Sequence, residues 1–283
     1  MKIYNFLYYH FKKLAILIIA KIQKFLIKYF FRSSNKLLNQ LIARNREELI
    51  NQTPFINHEL YTKNNYGIQK RILKKINEPV DSSLFYSDII LYLCHRYFSK
   101  NLKYLEIGGS VLKNAILISE GTDRGSVTVF DKNEINPLKE SIFLKSNTTS
   151  IRNYFMGSVL DIEDINSFNS KGYENFNFIF SDALHTSEGL MQEYNFIYGD
   201  KLQEKFIIYF DDLDFPELLE TAKEIAKLIQ QDHSNVQLIT FKTFGWIGSH
   251  EPMHLNGIIS NIDVFNSLKK DNVKLYRIKK VIF

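Results

Sequence analysis

The chain has a single cysteine, Cys94, in 283 residues, which excludes an intrachain disulfide framework and a cysteine-rich zinc site. Only five prolines occur and no Ser/Pro-rich tract, so long disordered linkers are not expected. Long apolar runs are also missing. The longest in the first segment is "LAILIIA", Leu14 to Ala20, with Lys12, Lys13, Lys21, Lys24 and Lys28 around it. A membrane span needs about 20 mostly apolar residues. No small-residue cleavage site follows the run, so a secretory signal is a poor match. Residues 1–35 contain no acid at all, but carry Lys2, Lys12, Lys13, Lys21, Lys24, Lys28 and Arg32. The remaining 29 basic and 31 acidic residues leave the body slightly acidic, which argues against non-specific nucleic-acid binding.

What the first segment does have is helical spacing. Leu7, Phe11, Leu14, Ile18, Ile22, Phe25 and Tyr29 recur at intervals of three and four, and most of the lysines fall on the other face. Residues 1–32 therefore read as a basic amphipathic arm suited to an anionic membrane surface. Packing on the chain's own body or on a second subunit is the alternative. Residues 33–99 read as a connecting region. "SSNKLLNQLIARNREELI" is a helix with Ser34 or Asn35 as N-cap, "NQTPFINHELYTKNNYG" a loop, and "DSSLFYSDIILYLCHRYF" a helix capped by Asp81 or Ser82.

From residue 100 to 283 strands alternate with helices, the signature of a parallel α/β sheet. "LKYLEIGG" is a strand ending in glycines, and "SVLKNAILISEG" a helix closed by Gly121. "SVTVFD", a segment near Asn153 to Met156, "FNFIFSDALH" and "KFIIYFDD" are further strands. "SEGLMQEYNFIYGDKL" and "FPELLETAKEIAKLIQQ" are helices, the second with Pro216 in its first turn. "VQLITFKTFGW" and "LNGIISNIDVF" follow with no helix between them, which predicts an antiparallel hairpin. In open sheets of this kind ligands bind beyond the carboxyl ends of the strands. There the sequence places Glu106, Gly108 and Gly109 after the first strand, Asp131 after the second, Asp182 after the fourth, and Asp211 and Asp212 after the fifth.

The glycines permit a tight turn and close approach of the backbone to a ligand. Asp131, 25 residues after Glu106, is placed to accept hydrogen bonds from ribose hydroxyls. The loop is not G-x-G-x-x-G, which counts against a dinucleotide or nucleotide-sugar enzyme. Glu106, two residues before Gly108, is placed to meet a cationic group such as the amino group of S-adenosylmethionine. Asp211 and Asp212, which end an apolar strand, are either solvated turn residues or hold something positive. His185, three residues after Asp182, is a candidate general base, with Asp182 as its rival. Ser158, in "MGSVLD" with Gly157 and Asp161, is a candidate adenine neighbour. His250, His254 and Trp246 lie in the segment between the last two of these strands, which reads as a cap over the substrate or a surface hairpin. Asp214 reads as a solvated turn or capping residue.

"YLEIGGS", "VTVFDKNE", "FNFIFSDALHTSEGL" and "KFIIYFDDLD" together resemble a class I S-adenosylmethionine-dependent methyltransferase. Within that superfamily they are most similar to the metal-dependent macrocin- and novobiocin-type sugar O-methyltransferases. The resemblance covers roughly residues 100–262. It implies a Rossmann-like sheet, mostly parallel with a C-terminal antiparallel hairpin, plus an N-terminal helical extension. It also implies magnesium at Asp182, Asp211 and Asp212, and cofactor contacts at Glu106, Gly108, Gly109, Asp131 and Ser158. The function implied is O-methylation of a hydroxyl on a glycan or other small molecule. Such an enzyme is expected to be cytoplasmic, peripheral on a membrane through residues 1–32, and self-associating. Two departures stand out: Ser110 and Leu112 replace the family's further loop glycines, and Leu184 replaces a second acid after Asp182. They motivate an alternative, a degenerate methyltransferase fold serving as a membrane-docked binding or scaffold module.

Overall fold

The computed structural model of the chain describes residues 34–45, 85–109, 112–121, 125–135, 149–245 and 253–283. It also describes 140, 143 and 144, and in the arm residues 11, 12, 14, 15, 18, 19, 21–23, 25 and 26. Ser110, Trp246, His250, Asp81, Ser82 and the expected loop after residue 50 lie outside the described residues.

The strands are β1 (Lys103–Ile107), β2 (Ser126–Asp131), β3 (Ile151–Met156), β4 (Phe176–Ser181), β5 (Leu202–Phe210), β6 (Gln237–Thr243), β7 (His254–Ser260) and β8 (Tyr276–Val281). They form one sheet in the order β3-β2-β1-β4-β5-β7-β6-β8. The first five are parallel, and β7 inserts antiparallel between β5 and β6. This is the mostly parallel, Rossmann-like sheet expected from the sequence, its C-terminal antiparallel hairpin included. The central strands read as continuous apolar runs because both of their faces are covered. On β5, Ile207 and Tyr209 join Tyr104, Phe178 and Ile239 on one side of the sheet. Phe206, Ile208 and Phe210 join Leu105, Ile179 and Leu238 on the other.

The first face is covered by α1 (36–45) and α2 (Tyr86–Phe98), which bury Leu38, Leu41, Ile89, Ile90 and Leu93. Asn35 is the N-cap of α1, its Oδ1 accepting from the Leu38 N–H at 2.9 Å. The N-cap of α2 is Phe85, later than the sequence suggests. The reason is Asp88, whose Oδ2 accepts from the Phe85 N–H at 2.8 Å while Asn45 donates to its other oxygen at 2.5 Å. On the opposite face lie α4 (Ile162–Ser170) and α6 (Pro216–Asp232). Leu218, Ala222, Ile225 and Ile229 form the buried side of α6, and Pro216 sits in its first turn as expected. Helix α3 (Lys113–Glu120) follows β1, and α5 (Ser187–Gln192) follows β4.

Three further features depart from the sequence reading. Helix α7 (Val264–Lys270) and strand β8 extend the hairpin by a further element pair. Helix α4 was not expected: only Ile165 and Phe168 are buried, too few to mark a period, and Asp161 is its N-cap. Finally, the segment expected to be one helix after Asp182 changes hydrogen-bonding pattern. It runs from α5 into a π-helix, Glu193–Tyr198, and then a short 3-10 turn, Gly199–Lys201.

Candidate active site

The strand register explains how residues distant in sequence reach one place. Ile107 pairs with Phe130 on one side and Ser181 on the other, and Ser181 pairs with Phe210. The next residue of each strand therefore stands in one row along the carboxyl edge: Asp131, Gly108, Asp182 and Asp211. Backbone bonds continue the ladder by this one residue, Gly108 N–H to Phe130 O at 2.9 Å and Asp182 N–H to Ile107 O at 2.9 Å.

Gly108 has φ +91°, and a Cβ there would lie 2.4 Å from the Asp182 carbonyl oxygen and 2.8 Å from the Ala183 Cα. The glycine is needed so that the turns after β1 and β4 can touch. A Cβ at Gly109 would meet the Val129 side chain instead, at 2.4 Å. Glu106 is buried, and its Oε2 accepts from the Tyr104 hydroxyl at 3.0 Å. Burial pushes its pKa up to about 8 against that bond, helped by the nearby charges of Asp182 and Asp131. Asp131 accepts from the Asn133 backbone N–H at 2.8 Å and from its side-chain amide at 3.0 Å. The Ser158 N–H donates to Asp164 at 2.8 Å and its Oγ accepts from the Leu160 N–H, so Ser158 shapes the turn after β3. Asp161 is occupied as a helix cap.

The centre of the row is a carboxylate–histidine cluster. His185 Nε2 lies 3.3 Å from Asp182 Oδ1, and its Nδ1 lies 3.3 Å from Asp212 Oδ2. The other oxygen of Asp212 contacts His254 Nδ1. Asp212 thus holds two imidazoles, one from the turn after β4 and one from the start of β7. It does so at φ +56°, in the left-handed region that aspartate tolerates better than most residues. Asp211 is adjacent, with a buried Oδ1 that has no hydrogen-bond partner. One ligand atom each of Asp211, Asp212 and His254 lies within 4.8 Å of the others. Asp214 stands apart as a turn residue, accepting from Lys242 Nζ at 2.8 Å and from the Leu255 N–H at 2.5 Å.

His254 is the residue that the sequence reading left outside the cluster. Phe210 pairs with Gly257, and β7 runs antiparallel to β5, so the start of β7 arrives where β5 ends. The predicted hairpin already contained that consequence, had its order in the sheet been known. Glu193 is a second such residue. Fully buried in the π-helix, it accepts from the Ser181 hydroxyl at 2.5 Å, beside Asp182.

The electrostatics follow from crowding. Burial, then the charges of Asp182 and Asp212, hold Asp211 well above the usual carboxylate range. Burial also raises Asp182. The bond to Asp182 holds His185 at about 9 against burial, with the charges of Asp182, Asp212 and Asp211 contributing. Burial opposes the charge on His254, but its bond to Asp212 and the field of Asp211 outweigh this and hold it at about 9. Burial pushes Glu193 up to about 8 despite the Ser181 bond.

These shifts predict a pH-dependent stability. Glu106 and Glu193 keep their protons in the fold up to about pH 8 but lose them near 4.5 when unfolded. The native state then binds more protons than the unfolded chain, so stability falls as pH rises through that window. His185 and His254 act in the same direction. Their stabilisation is complete below 6.5 and is lost as pH rises through about 9. In EDTA, the Tm should therefore fall steadily between pH 6.5 and 9, and Glu193→Gln should flatten the part of the slope below pH 8. Thermal melts across that range check this; a flat or rising Tm refutes it.

No family model matches the sequence, and no curated protein is significantly similar to it. Solved structures with a similar chain path include an O-methyltransferase from Bacillus cereus in complex with SAH. The two are 13% identical, with 86% of this chain and 98% of that chain covered and a TM-score of 0.49. A second is the O-methyltransferase TomG from Streptomyces achromogenes, in complex with SAM, at 12% identity, 85% and 95% coverage and a TM-score of 0.46. A third is cofactor-bound Rv0187 from MTB, at 11% identity, 86% and 96% coverage and a TM-score of 0.48. These likenesses extend to chain path alone.

Proposed function

We propose that the chain is an S-adenosylmethionine-dependent O-methyltransferase, assisted by a divalent cation and acting on a hydroxyl of a sugar or other small molecule. The observation that supports it most is the convergence of His185 and His254 on Asp212, between Asp182 and Asp211, in line with Gly108 and Asp131 along one sheet edge.

Both groups this reading implies suit the residues present. The orphaned, buried oxygen of Asp211 and the Asp211–Asp212–His254 donor set fit a divalent cation. Asp182 remains the further carboxylate expected from the sequence. Two oxygens and an imidazole suit manganese as well as magnesium. Such a cation would neutralise the aspartates and lower the pKa of an acceptor hydroxyl. At the other end of the row, Glu106 is a buried carboxyl that a cationic amino group would ionise, and Asp131 offers a carboxylate for ribose hydroxyls. S-adenosylmethionine supplies a methyl group made electrophilic by its cationic sulfur.

The chain's own part is to orient the acceptor and take its proton. With Asp182 and Asp212 uncompensated, His185 holds a proton to about pH 9 and is no base at neutrality. Compensating the aspartates removes the fields that raise it, so His185 can then accept the acceptor's hydroxyl proton. Asp182 would keep hold of its Nε2–H and fix the ring, while a cation drawing Asp212 away would leave Nδ1 free for that proton. Transfer of that methyl group to the acceptor oxygen would leave a methyl ether and a neutral thioether, with the displaced proton held on His185 as imidazolium.

Calorimetric titration with S-adenosylmethionine tests this reading. Micromolar affinity is expected, tightening as pH rises from 6.5 to 8.5 because the cation requires ionised Glu106. Glu106→Gln should weaken binding about tenfold and abolish that pH dependence. Absence of any cofactor binding by the folded wild type refutes the function.

A further inference from the structure

The arm presents a surface that the catalytic reading does not use. Its described residues between 11 and 26 are helical. At about 100° per residue, Phe11, Leu14, Ile18 and Ile22 fall in one narrow sector of that helix. All four point outward, with 69%, 54%, 49% and 54% of their surface exposed. The core does not need them: α1, the next helix, already closes that face of the sheet with Leu38 and Leu41. Lys12 and Lys21, exposed, flank the apolar sector, and residues 1–35 hold seven basic side chains and no acid. An outward apolar seam bordered by cations is complementary to a layer with anionic headgroups over hydrocarbon. No helix among the described residues is long and apolar enough to cross a membrane, so the complement is a surface on which the helix lies.

The other side of the same helix meets the rim of the site. Gln23, roughly 140° around from the apolar sector, accepts from the Met253 N–H at 2.8 Å. Met253 immediately precedes His254, whose imidazole is held by Asp212. One short helix therefore has a membrane-compatible face outward and a hydrogen bond to the site's edge inward.

We propose that residues 11–26 dock the protein on an anionic membrane surface, and that the methyl acceptor is a hydroxyl carried by a molecule embedded in that surface. The second half rests on the methyl-transfer reading; the first does not.

The test uses the full chain. In flotation assays it should bind vesicles in which about a third of the lipid is phosphatidylglycerol at least ~10-fold more tightly than neutral phosphatidylcholine vesicles, with binding weakened by salt. The triple variant Leu14→Gln/Ile18→Gln/Ile22→Gln should lose about 100-fold in vesicle affinity. Its unfolding transition and S-adenosylmethionine affinity should stay unchanged, since no residue altered reaches the core. Equal binding to both vesicles, or to neither, overturns the docking. So does a wild-type dimer that the triple variant converts to monomer without any vesicle binding, which would show that a second copy covers the seam. For the acceptor, methyl-labelled S-adenosylmethionine is incubated with vesicles of the source organism's total lipid. Label in the organic phase, reduced at least tenfold in the triple variant, is expected. Label confined to water-soluble products, or absent from lipid while the cofactor binds, overturns the acceptor assignment. A folded protein that binds vesicles but not S-adenosylmethionine would instead refute methyl transfer and leave the docking intact.

Discussion

Gly108→Ala is expected to destabilise the fold by at least about 3 kcal/mol and to abolish cofactor binding in whatever protein remains folded. Two costs add at this position. The left-handed φ of +91° is strained for any residue with a Cβ. The new methyl would also collide with backbone, 2.4 Å from the Asp182 carbonyl oxygen and 2.6 Å from its carbonyl carbon. Backbone cannot rotate away as a side chain can, so the turn carrying Asp182 must be pushed off the turn carrying Gly108. Two companions separate the contributions. Gly172 has φ +66° with nothing within 4 Å of its virtual Cβ, so Gly172→Ala should cost only the conformational strain, about 1 kcal/mol. At Gly109 the obstacle is the Val129 side chain, so Gly109→Ala should cost an intermediate amount, about 1–3 kcal/mol of overpacking. Denaturant unfolding of the three variants gives the order directly. If Gly108→Ala is no worse than Gly172→Ala, the close approach of the two turns is wrong. Against a typical total of about 5–15 kcal/mol, the expected loss is large enough to be unmistakable.

This position shows what could and could not be read from the chain. The pair Gly108-Gly109 marks a tight turn in any sequence, but the partner that makes Gly108 indispensable is the backbone of Asp182, 74 residues later, and no local pattern names it. The carboxylates were legible for a different reason. A strand such as "FIIYF" that ends on two aspartates breaks its own apolar logic, and parallel order places all such ends on one edge. Asn35 was legible as a cap because capping is settled within three residues. The missed features all depend on long-range context. Asp88 sets the start of α2 while Asn45 holds it from another helix. Strand β8 alternates burial at the edge of the sheet, with Lys279 and Lys280 both exposed, so its composition does not announce a strand. Glu193 looks like a solvent-facing charge in a helical run. The switch from α to π pitch is invisible in side-chain spacing, and it accompanies the full burial of that carboxyl against Ser181. His254 needed the knowledge that β7 lies between β5 and β6.

The second large effect is expected at Asp212. Asp212→Asn should lower kcat/KM about 10²–10⁴-fold while leaving S-adenosylmethionine affinity within about threefold. The substitution keeps the volume and removes the charge, so it isolates the electrostatic role. Three functions meet on this one carboxylate. It anchors His185 through Nδ1, opposite the Asp182 contact at Nε2. It anchors His254, and with Asp211 and His254 it completes the only three-residue donor cluster found among the described residues. Its loss should therefore act on the chemical step and on cation affinity together, and not on the nucleotide end of the row, where Glu106 and Asp131 stand. The pH behaviour separates this from general damage. In the metal-free wild type the His185 imidazole is held at about 9, chiefly by its bond to Asp182; without the Asp212 charge its midpoint should fall, but by less than on loss of Asp182. NMR titration of the histidine ring protons follows that shift in the absence of any substrate. Asp182→Asn removes the larger partner and should lower the His185 midpoint further, while His254, held by its bond to Asp212, should shift less than His185. A variant in which turnover falls while both histidines titrate as in wild type would mean that Asp212 serves the reaction only through the cation. A variant with undiminished turnover would remove the aspartate–histidine cluster from the mechanism altogether.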